Sequence, residues 1–152
     1  MRYRLICVGK VKSNSPEAEL IAMYTSRLKG SFKVDEIDIK NIKNPNELNL
    51  RENQKIQSLI TPTDFTIGLD KDGKVFSSED FSNFLHNKRV EGHQNITFVI
   101  GGASGLDETS KKMCSTLLSF GKQTWPHMLA RVMLFEQIYR AQCIIDGHPY
   151  HK

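Results

Sequence analysis

Residues 98–105 read FVIGGASG, an apolar run that stops at three glycines within five positions, Gly101, Gly102 and Gly105. A buried strand ending this way brings bare backbone close to a ligand, or turns tightly into a helix for no chemical reason. The spacing matches neither common phosphate-binding pattern. A dinucleotide fingerprint needs G-x-G-x-x-G, and Ile100 stands where its first glycine belongs. A P-loop needs lysine directly after its last glycine, whereas Lys111 lies six residues beyond Gly105.

The other chemistry-bearing residues gather near the C-terminus. His127, His148 and His151 fall in the last 26 residues. They lack the cysteine or carboxylate company of a zinc site, so no metal is expected. His127 follows Pro126 and serves to cap or orient the helix after it. The ending DGHPYHK is polar and aromatic, and composition alone makes it a frayed terminus. Yet Tyr150, His151 and Lys152 supply a stacking ring, an imidazole and a cation, the groups that touch RNA. Trp125 is a core anchor or the wall of a nucleoside pocket. Cys7, Cys114 and Cys143 are dispersed and odd in number. They read as small buried hydrophobes in a reducing, cytoplasmic compartment.

These groups need a scaffold, and 152 residues suffice for one domain, 1–152. Apolar runs alternate with helical patterns. Strands are expected at YRLICV (3–8), FKVDEIDI (32–39, nearer an edge), DFTIGL (64–69) and NITFVIGG (95–102). Helices are expected from Pro16 to Leu28 capped by Ser15, over a polar, exposed 44–60, from Ser77, and from Asp107 to Met113. DKDGK after Leu69 reads as a turn. The alternation gives an α/β fold, a mostly parallel sheet with helices on both faces. Ligands in such sheets sit beyond the carboxyl ends of the strands, where Leu69, Asp70, Gly101 and Gly102 fall.

LARVMLFEQIYRAQCII (129–145) carries only three charges, Arg131, Glu136 and Arg140, the last two spaced to pair at i, i+4. A helix so apolar around its circumference buries a second face, which implies a homodimer. No stretch approaches the roughly 18 apolar residues of a membrane span, and the N-terminus reads as a first strand with no signal peptide. A net charge of +4 permits a polyanionic partner without requiring one.

FVIGGASGLD, TWPHMLARVMLFEQIYRA and the terminal HPYHK, in that order, together with GLDKDGKVFSSEDFSNFL (68–85), resemble the signature segments of the ribosomal large-subunit methyltransferase H family. The resemblance runs over nearly the whole chain and is weakest in residues 12–60. It implies an S-adenosylmethionine-dependent enzyme of the SPOUT class with a C-terminal trefoil knot, a homodimer that methylates N3 of one pseudouridine of 23S rRNA in the assembled ribosome. Carried over by position, the cofactor would meet Leu69, Gly102, Gly121, Lys122, Gln123, Thr124, Trp125 and Pro126. Gly101 and Gly102 would let backbone approach it. Tyr150, His151 and Lys152 would meet RNA, with Tyr150, His151 and His148 as catalytic candidates because the tail is free to reach it. Lys152 stands where many members have arginine, and lysine makes no bidentate fork to phosphate. The alternative is a non-enzymatic ribosome- or RNA-binding α/β module whose glycine turn is purely structural.

Overall fold

In β1 (Arg2–Val8) successive side chains point to opposite sides, and both sides are buried. The computed structural model describes residues 1–152. Leu5 and Cys7 enter one apolar cluster, while Ile6 and Val8 enter another. Such a strand must lie inside a sheet covered on both faces. β1 pairs in parallel with β2 (Phe32–Ile37) on one side and β4 (Asn95–Ile100) on the other. β3 (Phe65–Val75) and β5 (Thr116–Ser119) extend the sheet, all parallel, in the order β2-β1-β4-β3-β5. β2 is an edge strand, as its weaker alternation foretold. STLLSF, too short to declare itself, supplies the opposite edge.

The crossover helices are α1 (Pro16–Arg27), α2 (Pro45–Leu59), α3 (Ser78–Val90), α4 (Glu108–Met113) and α5 (His127–Ile145). Four begin at the caps their sequences offer. Ser15, Asn44, Ser77 and Asp107 each accept a backbone N–H of the first turn. Helices α1, α3 and α5 cover one face, with Ile21, Phe81, Leu85, Leu134, Phe135 and Ile138 over β1 and β4. α2 covers the other, placing Ile56 and Ile60 against Ile6, Val8 and Val99. No helix is long and apolar enough to cross a membrane.

Two expectations are corrected here. DKDGK is no turn between elements. Leu69 and Lys74 both stand opposite Leu118, so residues 70–73 bulge from a strand that then resumes. Gly73 is required there, because a Cβ would come within 2.7 Å of the Leu117 and Leu118 backbone. Nor is α2 a solvated helix, since it buries Glu52 and Asn53 as well as Ile56. Their polarity hid that burial, because the partners lie about fifty residues downstream.

The strand ends are nearly level. Val8 pairs with Ile37, Cys7 with Ile100, and Gly68 with Val99, which brings Leu69 to the level of Ile100. The candidate residues therefore collect along one rim of the sheet.

Candidate cofactor cavity and tail cluster

Beyond Ile100 the chain makes a turn held by Gly105 N–H donating to Gly102 O at 3.0 Å. Gly105 has φ +75°, a conformation side chains resist. A Cβ on Gly101 would lie 2.7 Å from the carbonyl carbon of Gly105. A Cβ on Gly102 would run into the Glu52 carboxylate and come within 3.1 Å of Val8 Cγ1. These glycines are needed because the turn folds on itself and α2 presses on its back. These contacts give the glycines a reason besides the expected one, close backbone approach to a ligand.

The turn is one wall of a cavity of about 390 Å³. Leu69 and Asp70, where β3 enters its bulge, form a second wall, and the segment from Leu118 to Trp125 forms the third. Of the eight residues expected around a cofactor, Leu69, Gly102, Gly121, Gln123, Thr124 and Trp125 line this space. Lys122 and Pro126 do not. Lys122 is solvent-exposed. Pro126 stands at the N-cap of α5, its carbonyl accepting from Ala130 N. The third segment is pinned by its own polar atoms. Ser119 Oγ lies 3.1 Å from both Gly121 N and Lys71 O, and Trp125 Nε1 donates to Phe120 O at 3.3 Å.

An ion pair also lines the cavity, Lys111 Nζ to Asp70 Oδ2 at 3.0 Å. The Asp70 carboxylate first, then desolvation working against it, leave the Lys111 ammonium pKa above its ordinary value. Sequence reading tested Lys111 only as a P-loop lysine and missed this role. The one available signal was Asp70 at a strand end.

Behind the cavity, Arg131 is 1% exposed. Its guanidinium donates to Val8 O (2.7 Å), Gly9 O (2.5 Å) and Glu36 Oε1 (2.8 Å), tying α5 to the end of β1. Burial, then the Arg131 charge, lower the pKa of His127, keeping that imidazole neutral at physiological pH. Burial pushes the Cys7 thiol up to about 12 and Cys114 to about 11, consistent with inert packing residues.

Glu52 faces the back of the turn with its carboxyl pKa raised by burial. The folded state therefore holds its proton more tightly than the unfolded chain does. Stability falls as pH rises through the unfolded value toward the raised folded one, and the loss persists above it. Glu52→Gln should raise Tm by ~1–3 °C at neutral pH. It should change little at about pH 4, where the glutamate is largely protonated in both states. Thermal scans at the two pH values check this.

The tail is docked, contrary to both a frayed end and a free arm. Tyr150 Oη donates to Glu136 Oε1 at 3.1 Å, with Tyr139 edge-on at 4.8 Å and the Arg140 guanidinium 4.8 Å from its ring centre. Arg140 itself pairs with Glu136 at 2.6 Å. His151 lies between Glu79 Oε1 (2.8 Å from Nε2) and Arg140 Nη1 (3.2 Å from Nδ1). A proton on Nε2 satisfies both contacts, donating to the carboxylate and leaving Nδ1 to accept. His148 is exposed and touches the tail only through Tyr150 N at 3.2 Å, and Lys152 is exposed. Burial first, then hydrogen bonds to Tyr24 and Glu136, raise the Tyr150 phenol pKa well above its usual value. In this docked position the phenol is a donor to Glu136 and its ring lies against Tyr139 and Arg140.

None of these tail residues lines the cavity of its own chain. A second, apolar hollow of about 420 Å³ lies between α1, α3, β5 and α5. It shares the wall Leu118–Gly121 with the first and has Glu136 on its rim. The structure therefore assembles two constellations along one side of the molecule and does not bring them together within one chain.

The family model described as "Predicted SPOUT methyltransferase" matches residues 1–151. The chain is 42% identical to the ribosomal RNA large subunit methyltransferase H of Streptococcus suis, over 100% of both chains. It is 41% identical to that of Streptococcus pyogenes serotype M18, again over 100% of both. Among solved structures, a Legionella pneumophila methyltransferase in complex with SAM superposes with a TM-score of 0.51 at 10% identity. That match covers 93% of this chain and 66% of the other, and it is a likeness of fold. The parallel sheet, its glycine-turn rim and the full-length likeness agree: the chain belongs to the SPOUT methyltransferases, in the family of the ribosomal RNA large subunit methyltransferases H.

Proposed function

We propose that the protein transfers the methyl group of S-adenosylmethionine to N3 of a pseudouridine in 23S rRNA of the assembled ribosome, acting in the cytoplasm as a homodimer. The observation that carries this reading is the cavity itself. Three segments distant in sequence, 69–70, 100–106 and 118–125, converge on one space at the carboxyl ends of parallel strands. The first two, and the end of the third, fall within the segments through which the chain resembles its family. A volume of about 390 Å³ suits a nucleoside-sized ligand. Leu69, Ile100 and Leu106 offer apolar walls, and Asp70 with Lys111 offers one group of each charge to a zwitterion. The family's trefoil knot belongs to the same reading, with the 119–126 segment as its cofactor-facing part.

Bound there, the sulfonium supplies an electrophilic methyl. Transfer of that methyl to N3 would leave the cofactor as its thioether. The chain contributes mainly positioning, since an in-line displacement gains most from holding both partners in line. The imide proton on N3 must also leave. With the Tyr150 phenol donating to Glu136, His148 and His151 are the tail groups left to accept it, His151 at Nδ1 once that atom parts from Arg140. Tyr150 offers a ring for base stacking, and Lys152 an exposed cation for phosphate.

The separation of tail and cavity supports the dimer. Leu20 and Leu129 are 39% and 41% exposed, beside half-buried Val132 and Met133. A second copy covering this face would bring its tail toward the cavity. Leu129→Glu is expected to weaken association at least tenfold, because it forces a charge into an apolar contact. Light scattering at micromolar concentration reads it as a shift from about twice 17.4 kDa to the single-chain mass. A wild-type protein already at the single-chain mass refutes the dimer.

The deciding assay is transfer of labelled methyl to intact ribosomes, with free large-subunit RNA in parallel. Label mapped to a pseudouridine supports the full proposal. Cofactor binding without label on either substrate refutes the RNA target. Neither binding nor label leaves the non-enzymatic module as the better reading.

A further inference from the structure

Helix α2 approaches the glycine turn from the side opposite the cavity and meets it with polar groups. Asn53 is 0% exposed. Its Oδ1 accepts from Asp107 N at 2.9 Å, and its Nδ2 lies 3.3 Å from Gly105 O. The second amide hydrogen has acceptors in Asn49 O and Asn49 Oδ1, both at 3.0 Å. One buried amide thus joins a carbonyl and an N–H on either side of Leu106, a residue that lines the cavity. A turn later Gln57 Nε2 reaches Ser110 Oγ at 3.1 Å, and Asp107 Oδ1 caps α4 through Ser110 N at 2.7 Å.

Gly105 and Asp107 are half-buried, and the buried Asn53 amide must itself be paired, so a change at position 53 leaves their main-chain groups short of a partner or changes the shape of the loop. Gly105, at φ +75°, has no side chain of its own to hold it. Its carbonyl and the following segment are oriented by Asn53. The amide has a donor and an acceptor on one planar group, and no apolar residue of similar size supplies both.

We infer that Asn53 is a positioning residue for cofactor binding, setting the shape of the Gly102–Leu106 wall from behind without touching the ligand. This rests on the reading of the cavity as the S-adenosylmethionine site. α2 is then part of the binding apparatus, although its sequence reads as a surface helix.

Two substitutions test it. Asn53→Leu removes both hydrogen bonds. Asn53→Asp keeps the acceptor toward Asp107 N, and regains the donor toward Gly105 O only when the acid is protonated. The charged groups near position 53 are the carboxylates of Glu52, on the same helix, and Asp107, at the α4 cap. Arg4 meets α2 only at its far end, at Leu59 O. The acidic surroundings favour the protonated form, so the switch lies within reach of ordinary buffers.

Calorimetric titration with S-adenosylmethionine is made at about pH 5.5 and about pH 8.5, each variant compared with wild type at the same pH, fold confirmed by circular dichroism. Asn53→Leu should bind roughly tenfold or more weakly at both values. Asn53→Asp should bind within about threefold of wild type at the lower pH and roughly tenfold more weakly at the higher. Turnover at saturating cofactor should return toward wild type, so the loss appears in KM more than in kcat. Wild-type protein that binds no cofactor would remove the cavity reading, and this inference with it. Wild type that binds normally, with Asn53→Asp matching it at both pH values or losing equally at both, would overturn the role of Asn53 alone.

Discussion

A chain ending at Gly147 should bind S-adenosylmethionine within about twofold of the full-length protein and methylate ribosomes at least ~100-fold more slowly, the lower end of what a positioned acid or base contributes. The binding half follows from geometry, because Tyr150, His151 and Lys152 line no part of the cavity. The rate half follows from what leaves with the tail: two imidazoles, a stacking ring and a cation. The fold should persist, since the Glu136–Arg140 pair at 2.6 Å remains and Tyr150 is lost from a half-buried position. Point variants divide the effect. Tyr150→Phe keeps the packing on Tyr139 and Arg140 and loses the hydroxyl's bonds to Glu136 and Tyr24, so a change of a few-fold is expected. His151→Ala removes the ring held between Glu79 and Arg140 and should cost far more if that ring takes the N3 proton. Full-rate transfer by the truncated chain would strip the tail of its catalytic role. Lost cofactor affinity would instead mean that, across the proposed dimer, the partner copy's tail touches the ligand as well as the RNA.

The elements that frame this chemistry were legible in proportion to how locally they are determined. β1 and β4 announce themselves as dense runs of Ile, Val, Leu and Phe, which only a two-sided burial explains. The helix caps at Ser15, Ser77 and Asp107 were legible because a cap is settled within four residues. Three glycines marked one wall of the cavity but not what presses on them from behind. That Gly101 presses on Gly105 is a local matter of turn geometry, yet that Gly102 faces Glu52 depends on a helix fifty residues earlier. The burial of Asn53 was illegible for the same cause, since a polar residue looks solvated until its partners are known. The docked tail was hidden likewise, with Glu79 lying 72 residues from His151. The bulge at 70–73 escaped because too few apolar residues follow it to show that the strand resumes. Resemblance supplied the segments of the cavity, and only the structure separated Lys122 and Pro126 from the six residues that line it.

The two glycines of the turn should respond differently to the same substitution, and the difference identifies what each one faces. Gly101→Ala puts a Cβ 2.7 Å from the Gly105 carbonyl carbon and 2.9 Å from its oxygen. Backbone cannot swing aside, so the Gly102–Gly105 hydrogen bond must open and the cavity wall with it. Overpacking of this kind costs about 1–3 kcal/mol, roughly 5- to 150-fold in cofactor affinity if the distortion falls on the wall. Gly102→Ala meets the Glu52 carboxylate, the far end of a flexible side chain, together with Val8 Cγ1 at 3.1 Å. Its effect should be smaller and, unlike that at Gly101, reversible by a second change. Adding Glu52→Ala to Gly102→Ala should restore most of the lost affinity, whereas adding it to Gly101→Ala should restore none. The double-mutant cycle thus carries a coupling term at one position and not at the other. Calorimetric titration of wild type, the three single variants and the two doubles against S-adenosylmethionine measures it. If Gly102→Ala loses affinity that Glu52→Ala fails to return, its side chain obstructs the ligand itself, and close approach of bare backbone is the reason for that glycine.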